Sequence, residues 1–146
     1  MRGSANQLQK LREKPEIRRF RRILEAHRDD VLKALSRLES ERLTVDSEEP
    51  QDSADQSINS ISKESLFQRS SDRRRLLRMI DAAVLRIENG TFGLCVGCGD
   101  EINPRRLDAL PWTQYCLHCQ EDLERNKGRG SYPEEEDQIM NWRKAG

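Results

Sequence analysis

The sequence has few of the residues from which a large hydrophobic core is built. Only 34% of its 146 residues are hydrophobic, and its aromatic residues are two Trp, two Tyr and three Phe. A chain of this size and polarity forms one modest core, which excludes a large enzyme with a deep pocket. Its few apolar residues suit narrow seams between long, paired helices.

Long apolar runs are also missing from the chain. No stretch approaches the roughly 20 residues that span a membrane. The N-terminus has no apolar segment of the kind that directs secretion. We therefore expect a soluble, cytoplasmic protein without a membrane partner.

The chain carries no excess of either charge. Lys+Arg and Asp+Glu number 26 each, so no overall field draws the protein onto nucleic acid or anionic lipid. We find no nucleophile beside a base and no Gly-rich phosphate loop. These absences predict a protein that is not an enzyme.

The four cysteines predict a structural zinc site. They form two Cys-x-x-Cys pairs separated by seventeen residues, and four thiolates close a tetrahedral Zn²⁺ site without leaving a position for a catalytic water. Gly97 and Gly99 fit a tight metal knuckle, where a side chain would crowd the sulfur atoms. Two redox or disulfide couples are one alternative, and His118 in place of one cysteine is another. The predicted ligands of a single zinc ion are Cys95, Cys98, Cys116 and Cys119.

Two apolar stripes with helical spacing predict two long helices. The first helix begins near Pro15 and runs to about Leu43, and Asn89-Gly90 supplies a stop for the second. The first stripe contains Ile17, Phe20, Leu24, Val31, Leu35 and Leu38. The second stripe contains Ile58, Ile61, Leu66, Leu76, Ile80, Ala83, Val84 and Ile87. Joined by a short loop, the helices form an antiparallel hairpin with arms of roughly 45 Å.

The connection between the two helices is acidic. Residues 44–55 read TVDSEEPQDSAD, which is turn and cap chemistry. Asp52, Ser53 or Asp55 is expected to cap the second helix, the ordinary role of such residues. Two exposed carboxylates bind Mg²⁺ weakly, so a metal on which they act is expected to be held by a partner. The tip is predicted to be a probe that inserts into another molecule.

The predicted fold class is mainly α, a long antiparallel helical hairpin (coiled coil) with an acidic tip, followed by a small four-cysteine zinc finger and a C-terminal helix. In the finger, Ile102, Leu107 and Leu110 are expected to form the core. The finger carries four basic and six acidic residues, and this net charge of −2 argues against docking on phosphates. The predicted domains are a flexible segment at 1–14, the hairpin at 15–90 with its tip at 44–57, the finger and following helix at 91–127, and an extension at 128–146 with a short helix from Pro133 to near Trp142.

With these features in place, the chain resembles the DksA/TraR family of bacterial transcription regulators over residues 17–125. The matching stretches are FRRILEAHRD from Phe20, DSADQS from Asp52, FGLC before the first cysteine pair, and RRLDALP from Arg105. The tip motif of the family is Asp-x-x-Asp-x-Ala, and Ser57 stands here at the Ala position.

Similarity to this family implies a regulator that binds RNA polymerase and has no direct, sequence-specific contact with DNA. The hairpin would enter the secondary channel, the nucleotide entry pore, and carry Asp52, Asp55 and Ser57 towards the catalytic Mg²⁺. Changes in open-complex lifetime and initiation would follow. The zinc would be structural, and we expect a monomer in the bacterial cytoplasm.

Family members that respond strongly to ppGpp carry basic residues at four positions. Those positions align here with Arg75, Met79, Leu110 and Gln120, of which only Arg75 is basic. Because one cation is too few for a tetraphosphate, we expect weak or no ppGpp synergy.

Two other classes of function remain open at this point. One is a structural zinc-finger adaptor whose hairpin pairs with the helices of another protein. The other is a metal-dependent nuclease that uses the tip carboxylates.

Overall fold

The structure is a computed structural model that describes residues 14–49 and 52–127. This part of the chain contains four helices, α1 (Pro15–Ser47), α2 (Ser53–Asn89), α3 (Pro104–Ala109) and α4 (Leu117–Lys127). None of these four helices is long and apolar enough to cross a membrane. The prediction of a mainly α fold is confirmed.

The described chain forms two compact units. One unit is Glu25–Ile80, and the other contains the residues up to Leu24 and those from Asp81 onward. The predicted flexible segment at 1–14, apart from residue 14, and the predicted extension at 128–146 with its terminal helix lie outside the described residues. The predicted domain bounds stay predictions.

In the Glu25–Ile80 unit, α1 and α2 form an antiparallel hairpin. Glu41 of α1 pairs with Arg69 of α2 at 3.4 Å, and further along α1, Asp46 pairs with Lys63 at 3.3 Å. Because the partner on α2 moves backward as α1 moves forward, the two helices run in opposite directions. Each ion pair is about half exposed and contributes roughly 0–1 kcal/mol. Stability comes instead from the buried seam, whose members include Val31, Leu38 and Leu66.

The first helix is longer than predicted, since α1 ends at Ser47 and not near Leu43. Its last residues include hydroxyl side chains that we expected to begin the turn. The hydroxyl of Thr44 donates to the carbonyl of Ser40 at 3.1 Å, and that of Ser47 donates to Thr44 at 2.7 Å. Because these hydroxyl groups donate to carbonyls of their own helix, they do not compete for its backbone N–H groups, and α1 continues to Ser47.

Two members of the second predicted stripe lie outside the seam. Ile58 is 63% exposed and Ile61 is 70% exposed, so their assignment to the buried stripe was wrong. Asn59 and Ser62 share the side of α2 that carries buried Leu66, since they precede it by seven and four positions. The burial of Leu66 therefore decides which side of α2 faces the seam, and the two isoleucines point away from that side.

The other unit contains the core of the finger and the ends of the long helices. Phe20 packs against Phe92 with ring centroids 5.2 Å apart. As predicted, Ile102 and Leu107 are buried, but Leu110 is 40% exposed and its assignment to the core was wrong. Leu110 directly follows the last residue of α3 and precedes Pro111, so it lies where the helix has ended. The buried apolar residues of this unit include Phe20, Leu24, Ala83, Ile87, Cys95, Ile102 and Leu107.

The predicted stop of α2 is confirmed in detail. Gly90 has a φ of 74°, a left-handed conformation that favours glycine. The N–H of Gly90 donates to Ile87 at 3.2 Å, and the N–H of Thr91 donates to Arg86 at 2.9 Å. This pair of bonds is a Schellman motif. It directs the chain from α2 into the finger.

Candidate metal centre and hairpin tip

The four cysteines lie together, as their spacing predicts. The four sulfur atoms lie within 4.8 Å of one another, and all four cysteines are free. The Sγ atoms of Cys98 and Cys116 are 3.9 Å apart, whereas a disulfide needs about 2.05 Å. With Zn–S bonds of about 2.3 Å, neighbouring sulfur atoms of a tetrahedral site lie about 3.8 Å apart. The cluster therefore has the donor set and the dimensions of a four-thiolate zinc site.

The first cysteine pair is held by a tight turn. The N–H of Gly99 donates to the carbonyl of Cys95 at 2.9 Å, and the N–H of Cys95 donates to Asp100 at 2.8 Å. A Cβ on Gly97 would lie 3.0 Å from the Cys119 sulfur, which confirms the predicted crowding. For Gly99 the predicted crowding was wrong, because a Cβ there meets no atom within 4 Å; the φ of 79° is what favours glycine at this position.

The second cysteine pair begins α4. Cys116 directly precedes the helix, and its sulfur accepts the N–H of Cys119 at 3.5 Å. The N–H of Cys116 in turn donates to the Cys95 sulfur at 3.3 Å. Helix N-termini present free N–H groups, and two sulfur atoms of the cluster accept backbone N–H groups at the start of α4.

Hydrogen bonding sets the protonation of the cluster. Burial raises the pKa of the Cys95 thiol, but donation from the backbone N–H groups of Cys116, Cys98 and Gly97 lowers that pKa to about 6 overall. Hydrogen bonds to the sulfur atoms of Cys116 and Cys95 raise the pKa of Cys119. A thiolate at Cys95 also raises the pKa of Cys119, because two sulfur anions this close repel one another. A divalent cation removes that repulsion.

His118 does not join the sulfur cluster. Its side chain is 80% exposed, and its Nε2 lies 3.3 Å from Asp122 Oδ2, one turn further along α4. The group of potential metal ligands found in the described residues contains the four cysteines and no histidine. The alternative in which His118 replaces a cysteine is therefore not supported.

A buried arginine, which no sequence pattern predicts, holds the segment that leads into the second cysteine pair. Arg86 is 4% exposed, and its guanidinium donates to the carbonyl of Thr113 at 3.0 Å. Burial lowers the pKa of Arg86 to about 10. The carbonyl of Gln114 accepts the N–H of Val96 at 2.9 Å. No local pattern marks Arg86, because charged residues are exposed by default.

Arg106 holds the same segment, residues 113–115, from its other end. Its Nε donates to the carbonyl of Tyr115 at 3.0 Å, and the Thr113 hydroxyl donates to that carbonyl at 3.2 Å. The carbonyls of residues 113, 114 and 115 therefore all have donors. This fixes the backbone that positions Cys116.

Of the predicted tip residues, Asp52 directly precedes α2, Asp55 lies in its first turn, and Ser57 begins its second turn. The Oδ1 of Asp52 accepts the N–H of Asp55 at 2.8 Å, so the predicted capping role is confirmed for Asp52. The Ser57 hydroxyl donates to the carbonyl of Ser53 at 3.1 Å. Asp52, Asp55 and Ser57 are all exposed. One carboxylate oxygen of Asp52 thus serves the helix, while the Asp55 carboxylate faces solvent.

Comparisons with known proteins agree with this architecture. The family model described as the prokaryotic dksA/traR C4-type zinc finger matches residues 90–125. The RNA polymerase-binding transcription factor DksA of Escherichia coli K12 is 35% identical over 109 residues, which cover 71% of this chain and 68% of that protein. DksA of Haemophilus influenzae is 33% identical over 105 residues, with coverage of 71% of each chain. The chain belongs to the DksA/TraR family.

Two further similarities extend this finding. An uncharacterized protein of Aquifex aeolicus is 43% identical over 88 residues, and the match spans 61% of its length, less than two thirds. The structure of transcription factor DksA2 from Pseudomonas aeruginosa superimposes with a TM-score of 0.69 at 23% identity, covering 80% of this chain and 88% of that one. This likeness supports the hairpin-and-finger fold. DksA/TraR proteins are transcription factors and not enzymes, and the C4-type finger of this family binds zinc.

Proposed function

We propose that this protein is a transcription regulator that binds RNA polymerase. The observation that carries the proposal is the match to relatives named as RNA polymerase-binding factors, which covers 71% of this chain. The cytoplasm, where RNA polymerase works, is the proposed location, and a monomer is the proposed active form. The negative charge of the finger makes it a poor ligand for phosphates, so we propose that no sequence-specific DNA contact is made.

We further propose that the hairpin enters the secondary channel of the polymerase and acts there through its tip. The physical support is the exposure of Asp55 and of the second oxygen of Asp52, since exposed carboxylates can rearrange groups around a metal centre. Coulomb interactions strengthen in a low-dielectric channel, so two carboxylates there have more effect than in water. The Ser57 hydroxyl is already bonded to its own helix, which leaves its Cβ as the outward contact in place of the family's Ala.

The zinc ion is proposed to be structural, with Cys95, Cys98, Cys116 and Cys119 as its ligands. Four thiolates fill the tetrahedral sphere, so the metal can neither activate water nor bind a substrate. Its role is to fix the finger, as closed four-ligand sites do in small domains with little core.

Weak or no synergy with ppGpp completes the proposal. Of the four positions that are basic in strongly responding relatives, only Arg75 is basic here. Phosphate groups need several charge-assisted hydrogen bonds. A ppGpp titration in an initiation assay that gave full synergy would overturn this part.

The test compares a tip variant with a matched control. The tip variant combines Asp52→Asn and Asp55→Asn, because asparagine caps a helix about as well as aspartate and so leaves α2 intact. The control combines Asp29→Asn and Asp30→Asn, which removes two exposed carboxylates from α1. Each full-length, zinc-loaded protein is measured for polymerase binding by pull-down and for its effect on initiation.

The tip variant should bind polymerase and lose its effect on initiation, and the control should keep both. An unaltered effect of the tip variant would favour the adaptor class, in which the tip carboxylates have no task. Failure of the wild-type protein to bind polymerase would overturn the proposal as a whole.

A further inference from the structure

The first turns of α2 carry apolar residues on the outside and polar residues on the side of the seam. Ile58 and Ile61 are 63% and 70% exposed. Asn59 and Ser62 are half-buried on the side of Leu66, and the Oδ1 of Asn59 is buried without a hydrogen-bond partner in the structure. Single exposed apolar residues are common on protein surfaces. An arrangement that also places an amide in the seam works against the packing of the hairpin, so the hairpin alone does not account for it.

The two isoleucines lie next to Asp55, one of the two proposed acting carboxylates at the hairpin tip. Asp55, Ile58 and Ile61 follow one another at intervals of three residues and form a ridge on α2; we name its two isoleucines, Ile58 and Ile61, the distal strip. Neighbours at this spacing have Cβ atoms about 5–6 Å apart. A protein surface that contacts the Asp55 carboxylate and follows this ridge covers Ile58 first and Ile61 next.

The charges around the distal strip define the chemistry of its partner. Glu48, Glu49 and Asp52 are exposed near the start of α2 and, like Asp55, carry negative charge. The nearby Asp46 is already paired with Arg42 at 3.1 Å and with Lys63 at 3.3 Å. A complementary surface has an apolar groove bordered by lysine or arginine side chains.

We propose that the distal strip is the docking surface by which the hairpin holds RNA polymerase, with Ile58 and Ile61 seated in an apolar groove bordered by basic groups. This inference rests on the proposed function and adds a division of labour to it. The isoleucines supply affinity, and the tip carboxylates supply the effect on initiation. Burial of two aliphatic side chains at an interface lowers the dissociation rate more than it changes the association rate.

The experiment measures the affinity of the full-length, zinc-loaded protein for RNA polymerase. The test variant combines Ile58→Gln with Ile61→Gln, since glutamine is a good helix former and both sites are exposed. The matched control is Phe67→Gln, which removes a side chain that is 64% exposed on the same helix. Phe67 follows Ile58 by nine positions, which places it about half a turn around the helix axis from Ile58. The tip variant with Asp52→Asn and Asp55→Asn is measured in parallel.

The strip variant is expected to bind polymerase at least about tenfold more weakly, and its effect on initiation should return when its concentration is raised by the same factor. Phe67→Gln should keep wild-type affinity. An unchanged affinity of the strip variant would overturn this inference while leaving the proposed function standing. An equal loss from Phe67→Gln would also overturn it, because the contribution would then not be local to the strip. Absence of polymerase binding by the wild-type protein would overturn the proposed function and this inference together.

Discussion

Replacing Gly97 by alanine tests whether the tight turn of the first cysteine pair serves the metal centre. The added Cβ would lie 3.0 Å from the Cys119 sulfur and 3.3 Å from the Cys119 Cβ. The Cβ of Cys119 is fixed by the backbone of α4, and its sulfur, which ends a short side chain, is held in the cluster, so neither atom moves aside easily. Overpacking of this kind costs about 1–3 kcal/mol. Because folding and metal binding are coupled in small zinc domains, the cost appears as zinc affinity lower by about tenfold to a hundredfold.

Gly99→Ala is the matched control for this prediction. A Cβ at Gly99 meets no atom within 4 Å, but alanine at a φ of 79° is strained by about 1–2 kcal/mol. Both variants should therefore be less stable, yet only Gly97→Ala pushes directly on a sulfur atom. The assay combines competition for Zn²⁺ by a coloured chelator with the visible spectrum of the Co²⁺-loaded protein, which reports the sulfur geometry.

The two variants separate the steric cause from general destabilisation. Gly97→Ala should change the Co²⁺ spectrum, and Gly99→Ala should leave it as in the wild-type protein. If Gly97→Ala binds zinc with wild-type affinity and gives an unaltered spectrum, then the reasoning about crowding at Cys119 is refuted.

Three further predictions concern stability and pH. Arg86→Met should lower the free energy of unfolding in urea by about 1–2 kcal/mol. The carbonyl of Thr113 loses its donor, which destabilises the fold, and removal of a buried charge offsets part of that loss. An unchanged midpoint of the urea unfolding curve would contradict this. Zinc affinity should fall more steeply with pH below a pH of about 6. The lowered pKa of Cys95 means that its thiolate is present above that pH and is lost as the pH falls through it. A chelator titration that shows no change of slope near this pH would contradict the prediction. Asp52→Ala should lower the free energy of unfolding by about 1 kcal/mol, because alanine removes the acceptor for the N–H of Asp55. Asp52→Asn keeps an acceptor and should leave the free energy of unfolding nearly unchanged. Thermal unfolding followed by circular dichroism compares the two variants.

Features with a strong local pattern were predictable from the sequence. The cysteine spacing gave the metal cluster, and Asn89-Gly90 gave the end of α2, because turns and metal knuckles depend on residues that are close in the chain. The capping role of Asp52 belongs to the same class. Such interactions involve few neighbours, so sequence order nearly determines them.

Features that depend on the phase of a helix or on distant backbone groups were not predictable. Ile58 and Ile61 have helical spacing, but that spacing does not say which side of α2 faces α1, and the buried Leu66 decides it. Arg86 has no sequence signal because its partner is a backbone carbonyl 27 residues away. Leu110 lies at the end of α3, where the path of the chain and not the residue type decides its burial.

The central claim is that the tip carboxylates act on the polymerase while other parts of the protein hold it. The most direct measurement is the lifetime of open promoter complexes at a saturating concentration of each protein, at which differences in affinity no longer matter. We predict that the wild-type protein and the Asp29→Asn, Asp30→Asn control change this lifetime equally. The Asp52→Asn, Asp55→Asn variant should leave the lifetime at its value without the protein. A tip variant that changes the lifetime as strongly as the wild-type protein would contradict the account.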